Sequence, residues 1–262
     1  ELIKKALGDN CIEIHHIGST AVPGLCSKPK IDIIAVVQSG QDSIGPLEDA
    51  GYNYRGEWNI PFKFGFTKRG VLAINLHVFE AHHPEIELNL IFRDHLRSNP
   101  DSLLKYAKLK GDLLADEASL QKQDGKFFSG YNLGKDAFIR QILDEEGYNK
   151  QRFLRATHHL EWENYHRIRK EQMFDPINVP YDPNHFSINA EGHCHFILCR
   201  GTKIVSVAHI EFLNDKEAAV RFFATDIPYK NQGYAKEMPT LLERWARSQG
   251  IDVLKMHSRP SA

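Results

Sequence analysis

Apolar and polar positions alternate through residues 11–17 (Cys-Ile-Glu-Ile-His-His-Ile), a period of two that predicts a strand with one covered face. Residues 31–37 (Ile-Asp-Ile-Ile-Ala-Val-Val) form a near-continuous apolar run, the pattern of a strand buried on both faces. A helix is expected around 41–51. Segments 62–67 and 71–79 then read as a β pair around Lys68-Arg69-Gly70, the second alternating through Leu72, Ile74, Leu76 and Val78. From Pro100 the spacing turns helical through Leu103, Leu104, Ala107, Leu113 and Leu114. Residues 135–146 form an amphipathic helix that stops at Gly147.

Apolar periodicity lapses across Gly147-Tyr148-Asn149-Lys150-Gln151, which marks a boundary between a domain over 1–147 and a second over 151–262. In the second, 158–174 reads as helix, and Pro176, Pro180 and Pro183 mark an irregular loop. Strands are expected near 193–199, 203–212 and 217–225, a helix near 234–249, and a last strand over 253–257. The class is α/β of the α+β kind: a mixed sheet with helices in the first domain, a mostly antiparallel sheet flanked by helices in the second.

Composition narrows the setting. A chain of 262 residues with 42% hydrophobic content can bury two cores. Net charge is −1 overall, −3 over 1–150 and +2 over 151–262, so no long-range field favours nucleic acid or an anionic membrane. Cys11, Cys26, Cys194 and Cys199 follow no paired framework, and no apolar run is long enough to span a bilayer. A soluble cytoplasmic protein with reduced thiols is the expectation. The chain starts without Met and stops at Ser261-Ala262, which leaves room for further residues at either end.

The segment Asp226-Ile227-Pro228-Tyr229-Lys230-Asn231-Gln232-Gly233-Tyr234-Ala235 leads from an apolar strand pattern into an amphipathic helix carrying Leu241, Leu242, Trp245 and Ala246. Between Lys230 and Ala235 the side chains are mostly polar, glycine or small. Backbone N–H groups at the helix start can therefore converge on an anion, helped by the positive end of the helix dipole. Taken alone, such a hexapeptide is also a plain hydrophilic turn. In this context it resembles the acetyl-CoA loop of the GNAT acyltransferases, with Lys230 in the basic position.

That resemblance implies transfer of an acetyl group from acetyl-CoA to an amine, on a small molecule or on a protein. It assigns Phe223, Ala224 and Thr225 to the pantetheine arm, Lys230, Asn231, Gln232, Gly233, Tyr234 and Ala235 to the phosphates, and Lys236 to added charge. The amine must lose its proton before attack, and His209, Glu211 and Asp226 are the candidate acceptors. His209 and Glu211 share a strand face by alternation. Members of that family continue with a further helix whose Tyr protonates the leaving thiolate, and the chain ends before that position.

Near the other end stands His15-His16-Ile17-Gly18-Ser19-Thr20-Ala21-Val22-Pro23-Gly24-Leu25, then Lys28-Pro29-Lys30-Ile31-Asp32-Ile33. With Asn75-Leu76-His77-Val78, Leu90 to Arg97, Tyr106 with Lys110, and Tyr131 with Lys135, Phe138 and Ile139, this resembles the GrpB family, implying a nucleotidyltransferase-like fold over about 1–147. Gly18-Ser19 is a turn able to offer an N–H and a hydroxyl to phosphate. Asp32 lies where a metal-binding carboxylate would sit, with Mg²⁺ as the ion. The two-metal pattern wants a second carboxylate at position 34, which is Ile34; Glu80 or Glu87 is the substitute from another element. His16, Lys28, His77, Arg93, Lys110 and Lys135 complete a cationic pocket for a nucleotide or other phosphorylated ligand.

Three readings follow: an acyltransferase fused to a phosphate-binding domain, a nucleotide-handling protein acting through the first domain, and a non-catalytic interaction protein. His193, Cys194, His195 and Cys199 fall on opposite strand faces and do not converge as a zinc set. Cys26 reads as an inert thiol, and His82-His83-Pro84 as a turn.

Overall fold

The computed structural model describes residues 1–121 and 128–256. The chain divides into two compact units, Glu1–Asn149 and Lys150–Ala262. In the first, α1 (Leu2–Leu7) precedes β1 (Cys11–Ile17) and β2 (Lys30–Val37), then α2 (Ile44–Asp49), β3 (Asn53–Gly56), β4 (Phe64–Lys68) and β5 (Ala73–Glu80). Helices follow: α3 (Pro84–Ser98), α4 (Pro100–Ala115), α5 (Glu117–Leu120), α6 (Gly130–Leu133) and α7 (Asp136–Glu145). The sheet order is β1-β2-β5-β4-β3, with β2 and β5 parallel and the other neighbours antiparallel.

Alternation along β2 and β5 sorts their residues onto two faces. Ala35, Val37, Leu76 and Val78 pack with Ile3 and Leu7 of α1, Leu47 of α2, Tyr52 and Phe66. Ile34, Val36 and Phe79 point the other way, against Ile86 and Leu90 of α3. Asp32 and its register partner Asn75 belong to this second face.

The second unit holds β6 (Gln151–Arg155), α8 (His159–Arg169), β7 (His193–Arg200), β8 (Lys203–Phe212), β9 (Glu217–Thr225), α9 (Tyr234–Ser248) and β10 (Val253–Met256). Its order is β10-β9-β8-β7-β6, antiparallel except for the parallel pair β9 and β10. Phe196, Ile197, Leu198, Val205, Val207 and Ala208 are fully buried, because helices cover both sheet faces. Trp245 of α9 meets Phe196 at 4.6 Å on one face; Tyr165 of α8 bonds His195 at 2.6 Å on the other.

Of the elements that the pattern-based expectation lacked, three are informative. β3 carries only Tyr54 as a large apolar residue, too little for a period to register. In α3, the start is set by side-chain chemistry rather than by an apolar stripe: Pro84 begins the helix and His83 Nδ1 accepts from the Glu85 N–H at 3.3 Å. Strand β6 begins inside the polar boundary, and its pairing with β7 makes it a strand. Of the last expected strand, His257 lies outside the described residues.

Candidate functional sites

In the C-terminal unit, β10 pairs with β9 only over Glu217 to Val220. Among the described residues, no strand pairs with the outer edge of β9 from Arg221 to Thr225, while its inner edge stays bonded to β8. Asp226 then caps a short turn, accepting from the Ile227 N–H at 2.9 Å. Asn231 (φ 62) and Gly233 (φ 93) both take the left-handed conformation, which folds the loop back on itself ahead of α9.

Gly233 is the N-cap of α9 and supplies no side-chain cap. Its C=O takes the N–H groups of Lys236 and Glu237 at 2.9 and 3.1 Å. The N–H groups of Asn231, Gln232, Gly233, Tyr234 and Ala235 have no acceptor among the described residues. These orphan donors, at the positive end of a 15-residue helix, suit a pyrophosphate. A Cβ at Gly233 would meet nothing within 4 Å, so the glycine faces open space. Lys230 and Lys236 are exposed beside it, whereas Tyr234 is buried and anchors the first turn.

The three proton-acceptor candidates have different surroundings. Asp226 is buried, and its carboxylate takes a two-pronged ion pair from Arg167 of α8 at 3.1 and 2.7 Å. His209 is 3% exposed, stacks on His195 at 4.4 Å, and places Nε2 2.8 Å from His193 Nδ1. Burial first, then His195 and the Arg169 charge, push its pKa down to about 2, so its ring is neutral. Glu211 is more open; the Arg221 side chain donates to it and holds its carboxyl below the usual range. His193 pairs in register with Glu211, and His195 with His209, so all four share one face. Sequence reasoning passed over Arg221 and Arg169, whose importance depends on which strands and rings they meet.

In the N-terminal unit, Gly18 (φ 70) turns the chain against Asp32; a Cβ there would come within 2.7 Å of Asp32 Oδ2. Asp32 Oδ1 accepts from Asn75 Nδ2 at 2.8 Å. Lys110 from α4 donates to Ser19 Oγ at 2.8 Å and to the Cys26 carbonyl at 2.6 Å. Lys135 and Lys28 lie over the Tyr131 ring at 4.3 and 5.5 Å. Burial, reinforced by Lys110 and Lys28 and opposed by Asp32, pushes Lys135 down to about 8. These residues therefore form one cationic cluster drawn from five separate segments.

The remaining predicted members lie around it. His16 Nε2 is 2.9 Å from Thr20 Oγ1, and the His16 carbonyl accepts from Arg93 Nη1 at 3.0 Å. The rest of the Arg93 guanidinium is taken by Asp94 at 2.7 and 2.8 Å, which leaves it a framework role. His77 sits deeper on the same face, pushed down to about 3 by burial and by Lys63 and Lys30. Lys63, 6% exposed and lowered by burial with partial relief from Glu85, is a cation that sequence reasoning missed.

A divalent ion does not fit these donors. Asp32 faces a lysine cluster and an amide, and Glu80 accepts from the Gly40 N–H at 3.2 Å. Among the described residues no group of three or more His, Cys, Asp or Glu side chains is arranged to hold a metal. The expected Mg²⁺ at Asp32 finds no support in this donor set, where the Lys135 ammonium feels that carboxylate. No helix among the described residues is long and apolar enough to cross a membrane.

Comparison with known proteins bears on both units. Residues 1–145 match the family described as GrpB protein, and residues 154–261 match the acetyltransferase (GNAT) family. UPF0157 protein BH1888 of Halalkalibacterium halodurans is 40% identical over 118 residues, 44% of this chain and 60% of that protein. The chain therefore spans less than two thirds of that curated relative. The crystal structure of conserved protein GrpB from Enterococcus faecalis is 32% identical, covering 55% of this chain and 84% of that one, with a TM-score of 0.47. The ribosomal-protein-S18-alanine N-acetyltransferase from Escherichia coli is 20% identical, covering 43% of this chain and 69% of that one, with a TM-score of 0.37.

Proposed function

Because the chain belongs to the GrpB protein family through its N-terminal unit and carries a GNAT domain in its C-terminal unit, we propose that it is an N-acetyltransferase moving an acetyl group from acetyl-CoA to an amine. The observation that carries this is the loop of orphan N–H groups from Asn231 to Ala235 at the start of α9, directly after a β9 edge that no described strand covers. Such an edge offers main-chain partners to the pantetheine amides at Phe223, Ala224 and Thr225. The loop from Lys230 to Ala235, with Lys236, offers charge and N–H donors to the pyrophosphate. Acetyl-CoA supplies the activated thioester. At about 3.3 Å per strand residue, a thioester bound this way reaches the inner end of the edge, at Arg221 and Phe222.

There the chain's own residues position the amine and take its proton. Of the three candidates, Glu211 is the most open to water, and its proton affinity, which the Arg221 contact lowers, recovers when that contact is released. Asp226 has both oxygens committed to Arg167, and His209 has too little proton affinity to serve near neutral pH. Glu211 adjoins Arg221 at the inner end of the edge, and Arg221 is exposed enough to swing aside. Calorimetric titration with acetyl-CoA tests the reading: micromolar binding that disappears in Gly233→Trp supports it. No binding to the folded protein overturns it.

A second reading concerns the N-terminal unit, where the Lys28, Lys110 and Lys135 cluster beside Ser19 favours a phosphorylated ligand bound without metal-dependent transfer. Sulfate or phosphate binding that is insensitive to Mg²⁺ and weakened in Lys135→Gln supports this role.

A further inference from the structure

Helices α3 and α4 and the end of α7 bring together three side chains that neither candidate site uses: His95, Ser102 and Glu146. His95 Nδ1 lies 2.5 Å from Glu146 Oε1, and its Nε2 lies 3.0 Å from Ser102 Oγ. A carboxylate only accepts, so Nδ1 carries the proton of the neutral ring and Nε2 accepts from the Ser102 hydroxyl. The ring thus stands in the tautomer that a serine nucleophile needs, with a free lone pair toward the serine and an orienting carboxylate behind it. The His95 side chain is 7% exposed, which holds the ring in place, whereas that of Glu146 is 44% exposed.

The backbone around the hydroxyl suits that role. Ser102 follows Pro100 and Asp101 in the first turn of α4. Pro100 has no N–H, and the Leu103 N–H is taken by the Asn99 carbonyl at 3.0 Å. The N–H groups of Asp101 and Ser102 have no acceptor among the described residues. Both point out of the N-terminal end of the helix, the direction in which the Ser102 Cα–Cβ bond also leans, so they stand where a developing oxyanion takes its hydrogen bonds. Ser102 is half-buried, and Ser98, Pro100 and Asp101 before it are exposed, so this turn opens to water and to a ligand.

We propose that Ser102, His95 and Glu146 form a second active centre of this chain, one that cleaves small uncharged carboxylic esters through an acyl-serine. Ser102 Oγ attacks the ester carbonyl carbon as its proton passes to His95 Nε2, and the Asp101 and Ser102 N–H groups take up the charge on the carbonyl oxygen. The C–O bond to the alcohol then breaks, and the alcohol leaves with the proton from His95. Water attacks the acyl-serine and gives a proton to His95; the acid departs as Ser102 Oγ recovers that proton. Glu146 is the positioning residue, acting through the ring. Its carboxylate and the exposed Asp101 set negative charge beside the serine, which favours an uncharged ester over an anionic acyl donor.

The test is turnover of p-nitrophenyl acetate by the full chain without CoA, with a fluorophosphonate probe to mark the nucleophile as Ser102 Oγ displaces fluoride. Expected are an initial burst of p-nitrophenolate and probe on the peptide that carries Ser102, both lost in Ser102→Ala. In Glu146→Gln an amide replaces the carboxylate that orients the ring, so kcat should fall ~100-fold with KM unchanged, a split that a merely structural role would not produce. Should Ser102→Ala not fold, the labelled peptide of the unsubstituted chain and the Glu146→Gln kinetics decide the assignment. A folded chain that takes up no probe at Ser102 overturns the proposal. So does turnover that survives Ser102→Ala, which would place the reaction on a surface lysine or on Cys26, or a Glu146→Gln variant with unaltered kcat.

Discussion

The two units meet anions with different parts of the chain. In the C-terminal unit, the candidate site is a run of neighbours from Asn231 to Ala235 whose backbone N–H groups are left over by a turn and a helix start. In the N-terminal unit, the site is made of side chains from distant segments: Ser19, Lys28, Asp32, Lys110 and Lys135. A backbone site carries fixed partial charges that do not titrate, and its weak point is the one residue without a Cβ. A lysine site carries full charges that repel one another, and its weak point is the proton on the most crowded of them.

The largest effects should come from exchanging these weak points. Gly233→Trp should weaken acetyl-CoA by ~100-fold or more, since the side chain fills the open space over the loop and strains a φ of 93°, while sulfate binding to the first unit stays unchanged. Lys135→Gln should do the converse, weakening sulfate by ~10-fold and leaving acetyl-CoA alone. Paired calorimetric titrations of both variants decide whether the two sites are independent.

Dependence on pH sharpens the contrast. Burial lowers Lys135 from 10.5 to about 8, so the folded protein releases this proton before the unfolded chain does. The unfolded state holds more protons between those values. Hence this group's contribution to stability rises with pH across that window, and sulfate affinity falls across it. Sulfate keeps its charge throughout, so a titration series from neutral to alkaline pH, run beside Lys135→Gln, separates Lys135 from Lys110, which burial also lowers. A flat profile would exclude Lys135 from the site.

A smaller change separates lysine chemistry from metal chemistry at Asp32. Asp32→Asn should raise sulfate affinity ~3-fold by removing a nearby negative charge. A two-metal site would instead lose its ligand, so loss of binding sets the lysine reading aside. A separate effect, on stability rather than affinity, should come from Gly18→Ala, which places a Cβ 2.7 Å from Asp32 Oδ2 at a φ of 70°. Chemical denaturation should record a loss of ~1–3 kcal/mol, with acetyl-CoA binding intact.

Much of the fold was legible along the chain. Strands β2, β4, β5, β7, β8 and β9 and helices α4, α7, α8 and α9 follow the apolar periods, because each buries a face whose pattern repeats within a few residues, whereas β1 forms where its alternation predicts but leaves Ile12 and Ile14 exposed. Strands β3 and β6 were not legible, since a short strand of mixed residues becomes a strand only when a neighbour pairs with it. Helix α3 escaped because its covered stripe is interrupted by Arg93, Asp94 and His95: Arg93 donates to Asp94 and to the His16 carbonyl, and His95 bonds Glu146.

By itself, the sequence determined the phosphate-loop candidate and the Gly18-Ser19 turn, because both depend on backbone freedom and on neighbours only a few positions apart. Tertiary structure decided the charges. It set Lys135 near Asp32, committed Asp226 to Arg167, and placed Arg169 over the Phe222 ring. The reason is that electrostatic energy follows distance in space and access to water, and neither quantity is written in the order of residues along a chain.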